Sequence, residues 1–204
     1  MEFIIAILVF LIFAIPVIFI QFFIMYNVEF SILIFAMIAG FVLSMIILIA
    51  DRIKKRNTSE KFRHVATGSL IVYLMFLLSI TLIFRNKVNI EYSRIELIPF
   101  HDLAYILKNR LYFELFEKIY NVLLFVPYSF LLGCVIPNKK SLPIIIGIIT
   151  TLSIEAVQYL TERGVFDIND IILNIIGTLI GYGIYRLFVN VCRKISERKS
   201  KNAN

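Results

Sequence analysis

Long stretches in which almost every position is apolar, separated by short polar connections, dominate this chain. Six runs approach the roughly 20 residues that a helix needs to cross a bilayer: Phe3 to Tyr26, Phe30 to Ala50, Val65 to Phe84, Ile119 to Ile136, Leu142 to Leu160 and Ile171 to Val191. The pattern predicts an all-α, polytopic transmembrane helix bundle of about six spans. The first run follows Glu2, has no basic leader and stays apolar too long for a signal peptide. It reads as a retained helix bent at Pro16. Between the third and fourth runs, Leu103, Ile106, Leu107, Leu111, Leu115 and Phe116 recur at helical spacing. That recurrence predicts an interfacial helix over Asp102 to Lys118, capped by Asp102 after the break at Pro99.

Composition agrees with the pattern. Hydrophobic residues make up 60% of the 204 positions and charged residues 17%, against about 45–50% and about 25% in soluble domains. A net charge of +7 would suit nucleic acid if it were gathered on a soluble surface. Here the cations sit in connections: Arg52, Lys54, Lys55, Arg56, Lys61 and Arg63 after the second run, Lys139 and Lys140 after the fourth, and Arg193, Lys194, Arg198, Lys199 and Lys201 in the tail. The positive-inside rule puts these segments and both termini in the cytoplasm, so no nucleic-acid partner is expected. The location implied is the cytoplasmic membrane, with the Arg85 to Lys118 connection and the Thr161 to Asp170 turn outside. Cys134 and Cys192 share no loop and suggest no disulfide framework.

Two polar stripes interrupt the last two runs. Thr151, Glu155, Gln158 and Glu162 lie on one helical face, and Asp170, Asn174, Gly177 and Gly181 follow the same spacing. The short turn between the runs predicts an antiparallel hairpin whose stripes meet near its outer end. Small residues at four-residue spacing, Ala36, Gly40 and Ser44, then Gly177 and Gly181, allow close helix approach. The topology brings Asn121, at the start of the fourth run, and Arg94, Pro99 and Phe100, in the preceding connection, to the same end.

A cluster of carboxylates, amides and the guanidinium groups of Arg94 and Arg163 suits an anionic head group, oxygen ligation of a divalent cation, or proton transfer at a substrate. No cofactor is otherwise called for. Each residue also has a plainer reading. Asp167, three residues before Asp170, fits a helix cap; Asn121 fits a cap of its own helix; Arg163 fits an interfacial side chain. Glu155 lies about a turn and a half inside its span, where a carboxylate is costly, so it is the first candidate for chemistry. No serine, cysteine or histidine constellation accompanies it, and His101 is a lone loop histidine.

Three blocks then carry a resemblance. R-x-E-L-I-P-F from Arg94 to Phe100, Y-N-V-L-L-F-V-P-Y-S-F-L-L-G from Tyr120 to Gly133, and S-I-E-A-V-Q with R-x-x-x-D-I-x-D-I-I-L-N-I-I-G from Ser153 to Gly177 are similar to the signatures of VanZ-like membrane proteins, in the same order. The chain departs at Tyr128-Ser129, where that family tends to have a small pair ending in Gly.

The resemblance divides the chain into two N-terminal helices with a basic loop (1–64), a four-helix VanZ-like domain (65–191) and a basic tail (192–204). It implies a bacterial protein associated with resistance to the lipoglycopeptide teicoplanin, limiting access to cell-wall precursors, with membrane lipid, a lipid-linked precursor or the lipoglycopeptide as partner. Arg94, Phe100, Asn121, Gln158, Arg163, Asp167, Asp170 and Asn174 are then ligand-binding candidates, with Glu155 as the catalytic candidate. The alternatives are an intramembrane enzyme on a lipid-linked or cell-wall substrate, using Glu155 as general acid or base, and a small transporter. The transporter fits worst, because the inner halves of the last two runs are nearly all apolar.

Overall fold

The computed structural model describes residues 59–83, 95–100, 103–137, 139 and 141–201. The first two predicted spans, with Pro16, Ala36, Gly40 and Ser44, lie outside the described residues, as do Arg94, His101 and Asp102. In chain order the elements are helix α1 (Ser59–Leu78), continued by a π-helical turn (Ser79–Ile83), strand β1 (Ile95–Glu96), helices α2 (Leu103–Lys108), α3 (Tyr112–Val135) and α4 (Leu142–Leu160), strand β2 (Phe166–Asp167) and helix α5 (Ile168–Lys201). Among the described residues four helical stretches are long and apolar enough to cross a membrane: Phe62–Leu82, Glu114–Val135, Leu142–Leu160 and Ile168–Lys194. The other two of the six expected spans are the ones outside the described residues.

A bundle in hydrocarbon has to satisfy its backbone and hydroxyl groups internally. Thr67, Ser69, Ser79 and Thr81 in α1 and its π turn, Thr150, Ser153 and Thr161 in and just after α4, and Thr178 in α5 each donate to the carbonyl four residues back. Each of these bonds satisfies the hydroxyl within its own helix. The apolar side chains divide by face. Phe76, Leu77, Leu124, Phe125, Phe130, Leu131, Ile154, Tyr185 and Phe188 form the core, while Ile71, Met75, Ile119, Ile145, Ile149, Leu152, Leu179, Ile180 and Leu187 point outwards.

The most extensive packing joins α3 and α5. A side chain at Gly177 would run into the carbonyl oxygen of Val122, and one at Gly181 into that of Val126. The shared four-residue step means that the two helices run parallel, backbone against backbone, as small residues permit in lipid. Helix α4 returns antiparallel: Asn174 bonds to Thr151, while Thr178 occupies the space beside Gly147. The expected hairpin of the last two helices is therefore present, but α5 seats chiefly on α3.

Pro127 inside α3 denies the Leu123 carbonyl its usual donor. One residue on, the Leu124 carbonyl accepts the buried hydroxyl of Tyr73 from α1 at 2.8 Å. The Tyr128-Ser129 departure is absorbed in the core: the Tyr128 hydroxyl bonds with Thr150 at 2.8 Å and its ring meets Phe125 edge-on.

The helix expected over Asp102 to Lys118 is divided. Leu111 N–H reaches the carbonyl of Ile106 and Arg110 N–H that of Leu107, a Schellman stop with Arg110 at φ 54°. From Tyr112 onwards the chain is already α3. Asn121 thus stands nine residues beyond the first residue of α3 and cannot cap it, because only the first turn leaves N–H groups without helical partners.

Candidate functional site

Two helix ends and two short strands build the polar end of the bundle. Helix α4 stops in a second Schellman motif: Arg163 N–H bonds to the Gln158 carbonyl at 2.9 Å and Glu162 N–H to that of Tyr159 at 3.3 Å. Glu162 occupies the left-handed position at φ 59°, which glycine usually takes. Three residues beyond Arg163 the chain enters β2, whose last residue immediately precedes α5. Asp167 Oδ1 accepts the N–H of Asn169 at 2.7 Å, the N-cap geometry expected of Asp167.

The strands pair in parallel, Ile95 with Phe166 and Glu96 with Asp167. This ties the segment leading to Pro99 and Phe100 to the start of α5. Phe100, itself left-handed at φ 56°, donates its N–H to Asn169 Oδ1 at 2.6 Å.

Within this frame α4 turns Thr151, Glu155 and Gln158 into the interior, where Glu155 and Gln158 are each only 1% exposed. One Glu155 oxygen accepts the backbone N–H of Asp167 at 3.3 Å. One turn deeper, Thr151 Oγ1 accepts Asn174 Nδ2 at 2.8 Å, joining α4 to α5. Across the other interface, Asn121 Nδ2 of α3 donates to Asp170 Oδ1 at 2.6 Å. Lys118 Nζ, one turn earlier in α3, stands 4.0 Å from Asp167 Oδ2.

The remaining polar groups hold α1. Gln158 Nε2 donates to the Thr81 carbonyl at 2.9 Å and Arg163 Nη1 to the Leu82 carbonyl at 3.0 Å, both in the π turn. A π turn displaces carbonyls from the regular ladder, and here two side chains meet them. Gln158 Oε1 and Asn169 Nδ2 are buried without a hydrogen-bond partner among the described residues. No group of three His, Cys, Asp or Glu side chains among the described residues stands close enough to hold a metal ion.

Of the residues singled out by sequence, Glu155, Gln158, Asp167, Asp170, Asn174, Asn121 and Arg163 stand at one end of the bundle, with Phe100 above them. Arg94 lies outside the described residues. Two participants escaped the sequence reading. Asn169 sits at the variable position of D-I-x-D, and Lys118 reads as one more loop cation; helical spacing puts Lys118 one turn before Asn121, which was the available clue.

A bundle in which four helical stretches among the described residues are long and apolar enough to cross a membrane defines a membrane protein. The profile of the VanZ/LLP1 family matches residues 70–189, more than half of the chain, and the chain belongs to that family. The match covers α2, α3, α4 and both strands, the last nine residues of α1 with its π turn, and most of α5. No curated protein and no solved structure matches the chain.

Proposed function

We propose that this VanZ/LLP1 family member lowers susceptibility to lipid-tailed glycopeptides such as teicoplanin, acting at the outer leaflet to limit their access to cell-wall precursors. The supporting observation is the convergence of Glu155, Gln158, Asp170, Asn174 and Asn121 from three helices at one end of an otherwise apolar bundle. The positive-inside rule assigns that end to the exterior, where a lipid-anchored precursor presents its head group. The exposed Ile95, Leu97 and Ile98 beside this cluster form an apolar rim for an acyl tail.

The test is expression in a sensitive bacterium. Teicoplanin susceptibility should fall several-fold, while susceptibility to a glycopeptide without an acyl tail changes little. Unchanged teicoplanin susceptibility at verified membrane expression would sink the reading.

One observation favours a second reading, an intramembrane enzyme. A carboxyl group as enclosed as Glu155, with one oxygen held by a backbone N–H, supports a reading as general acid or base. Membranes containing the wild-type chain should then change the mass profile of extracted lipid-linked precursors, and Glu155→Gln membranes should not. Identical profiles for the two would eliminate Glu155 as the catalyst.

A further inference from the structure

Arg186 is exposed on α5 inside the stretch Ile168–Lys194 that is long and apolar enough to span the membrane. Its contacts are neutral: Nη1 donates to the Tyr182 hydroxyl at 3.3 Å and the guanidinium lies 6.0 Å from the centre of that ring. No acidic side chain among the described residues pairs with it. An exposed cation within a membrane-spanning stretch, without a counter-charge among the described residues, draws one from its surroundings.

Depth identifies those surroundings. Tyr185, the preceding residue, packs against Gly133, two residues before the end of α3 at Val135. Arg186 is therefore level with the last turn of α3, next to the connection that carries the exposed Lys139. This is the opposite end from Glu155 and Asp170, at head-group depth.

The face around Arg186 changes character along its length. Leu179, Tyr182, Arg186, Asn190 and Arg193 fall on one stripe of the helix, apolar at Leu179, amphipathic at Tyr182 and charged at Arg193. Leu179, Arg186, Asn190 and Arg193 are exposed. Beside the stripe Gly183 is exposed too, and a Cβ built on it would have no neighbour within 4 Å, which leaves open space beside Tyr182. Arg193 pairs with Glu197 only at 3.9 Å on an exposed surface, an interaction too weak to remove it from competition for an anion. The gradient from tail-like to phosphate-binding surface matches one phospholipid standing along the helix.

We infer that the α5 stripe of Leu179, Tyr182, Gly183, Arg186 and Arg193 is a binding site for an anionic phospholipid of the leaflet opposite the polar cluster. The acyl chain lies along Leu179 and Gly183, the Tyr182 hydroxyl meets the glycerol ester region, and Arg186 holds the phosphate while Arg193 adds positive charge further along the stripe. Juxtamembrane cations attract anionic lipid generally. A guanidinium already braced by a tyrosine adds forked geometry to that attraction.

The full chain in neutral maltoside micelles provides the test, with helical unfolding monitored by circular dichroism. Phosphatidylglycerol should raise the unfolding midpoint saturably, whereas phosphatidylcholine and inorganic phosphate at matched concentration should not. Arg186→Gln should weaken the apparent phosphatidylglycerol affinity about fivefold or more. Arg186→Lys should weaken it less, and Lys139→Gln, off the stripe, should leave it unchanged. Because Arg186 is exposed, its variants keep the starting midpoint. Equal shifts with phosphatidylglycerol and phosphatidylcholine, a matching shift with inorganic phosphate, or an undiminished response in Arg186→Gln would each overturn the site.

Discussion

Asn121 and Asp170 are joined side chain to side chain at 2.6 Å across the α3–α5 interface, about two turns of α5 before Gly177 brings the two backbones together. The bond is half-buried and joins residues 49 apart in sequence. Removing the amide with Asn121→Ala should lower stability by about 1–2 kcal/mol, the upper range for a polar contact between membrane helices. Asn121→Asp should cost more, since it sets two carboxylates against each other. Thermal unfolding in micelles should rank wild type, Ala and Asp in that order; an Asp variant as stable as wild type would contradict the geometry.

Asp167 divides its oxygens between two tasks, Oδ1 capping α5 and Oδ2 facing Lys118. The cap is the stronger interaction at 2.7 Å, the ion pair being stretched to 4.0 Å. Asp167→Asn keeps a capping oxygen and should stay within about 0.5 kcal/mol of wild type, whereas Asp167→Ala should lose about 1 kcal/mol. If Asn proved as damaging as Ala, the charge at Asp167 would be the part that matters.

Gly177 and Gly181 of α5 are not equivalent to Gly68 of α1. Ala at Gly177 or Gly181 drives a methyl group into the carbonyls of Val122 or Val126 and should destabilise by about 1–3 kcal/mol or more. At Gly68 nothing lies within 4 Å of an added Cβ, so Ala there should stabilise by up to about 1 kcal/mol. A common response of all three to alanine would rule out the close α3–α5 approach.

Arg110 holds a left-handed conformation at the α2–α3 junction without glycine's freedom. Arg110→Gly should be neutral to stabilising by about 1 kcal/mol, and Arg110→Val, with its branched Cβ, should be clearly destabilising. Equal midpoints for Gly and Val would mean that the junction does not depend on this backbone turn.

Much of the bundle was legible because the bilayer simplifies the code: about 20 apolar residues announce a span, and any polar residue inside one stands out. Gly177 and Gly181 announced the close packing, and Asp167 its cap. The errors have particular causes. The α2–α3 break hides because Arg110 stands where a glycine would have signalled the stop. Asn121 looked like a helix start because the apolar run begins two residues before it at Ile119, yet α3 extends back to Tyr112 through a segment in which Glu114, Glu117 and Lys118 interrupt the apolar residues. The β1–β2 pair is two residues long and joins positions 71 apart, Ile95 and Phe166, so no local periodicity could carry it. Nor does spacing reveal that α5 prefers the parallel α3 to its sequence neighbour α4; that depends on which backbone offers carbonyls to the glycine face.

The parallel seating of α5 on α3 also orders assembly in time. Synthesis delivers α3, then α4, and α5 last, so the strip of α3 at Val122 and Val126 that accepts Gly177 and Gly181 is exposed to lipid while α4 is being threaded. Before α5 arrives, α1, α3 and α4 leave that strip of α3 without its partner helix. Docking of α5 covers the strip, brings Asp170 to Asn121 and closes the polar end. Closure of the polar end is thus tied to the arrival of α5, and a nascent protein halted before α5 carries Glu155 without the segment that meets it.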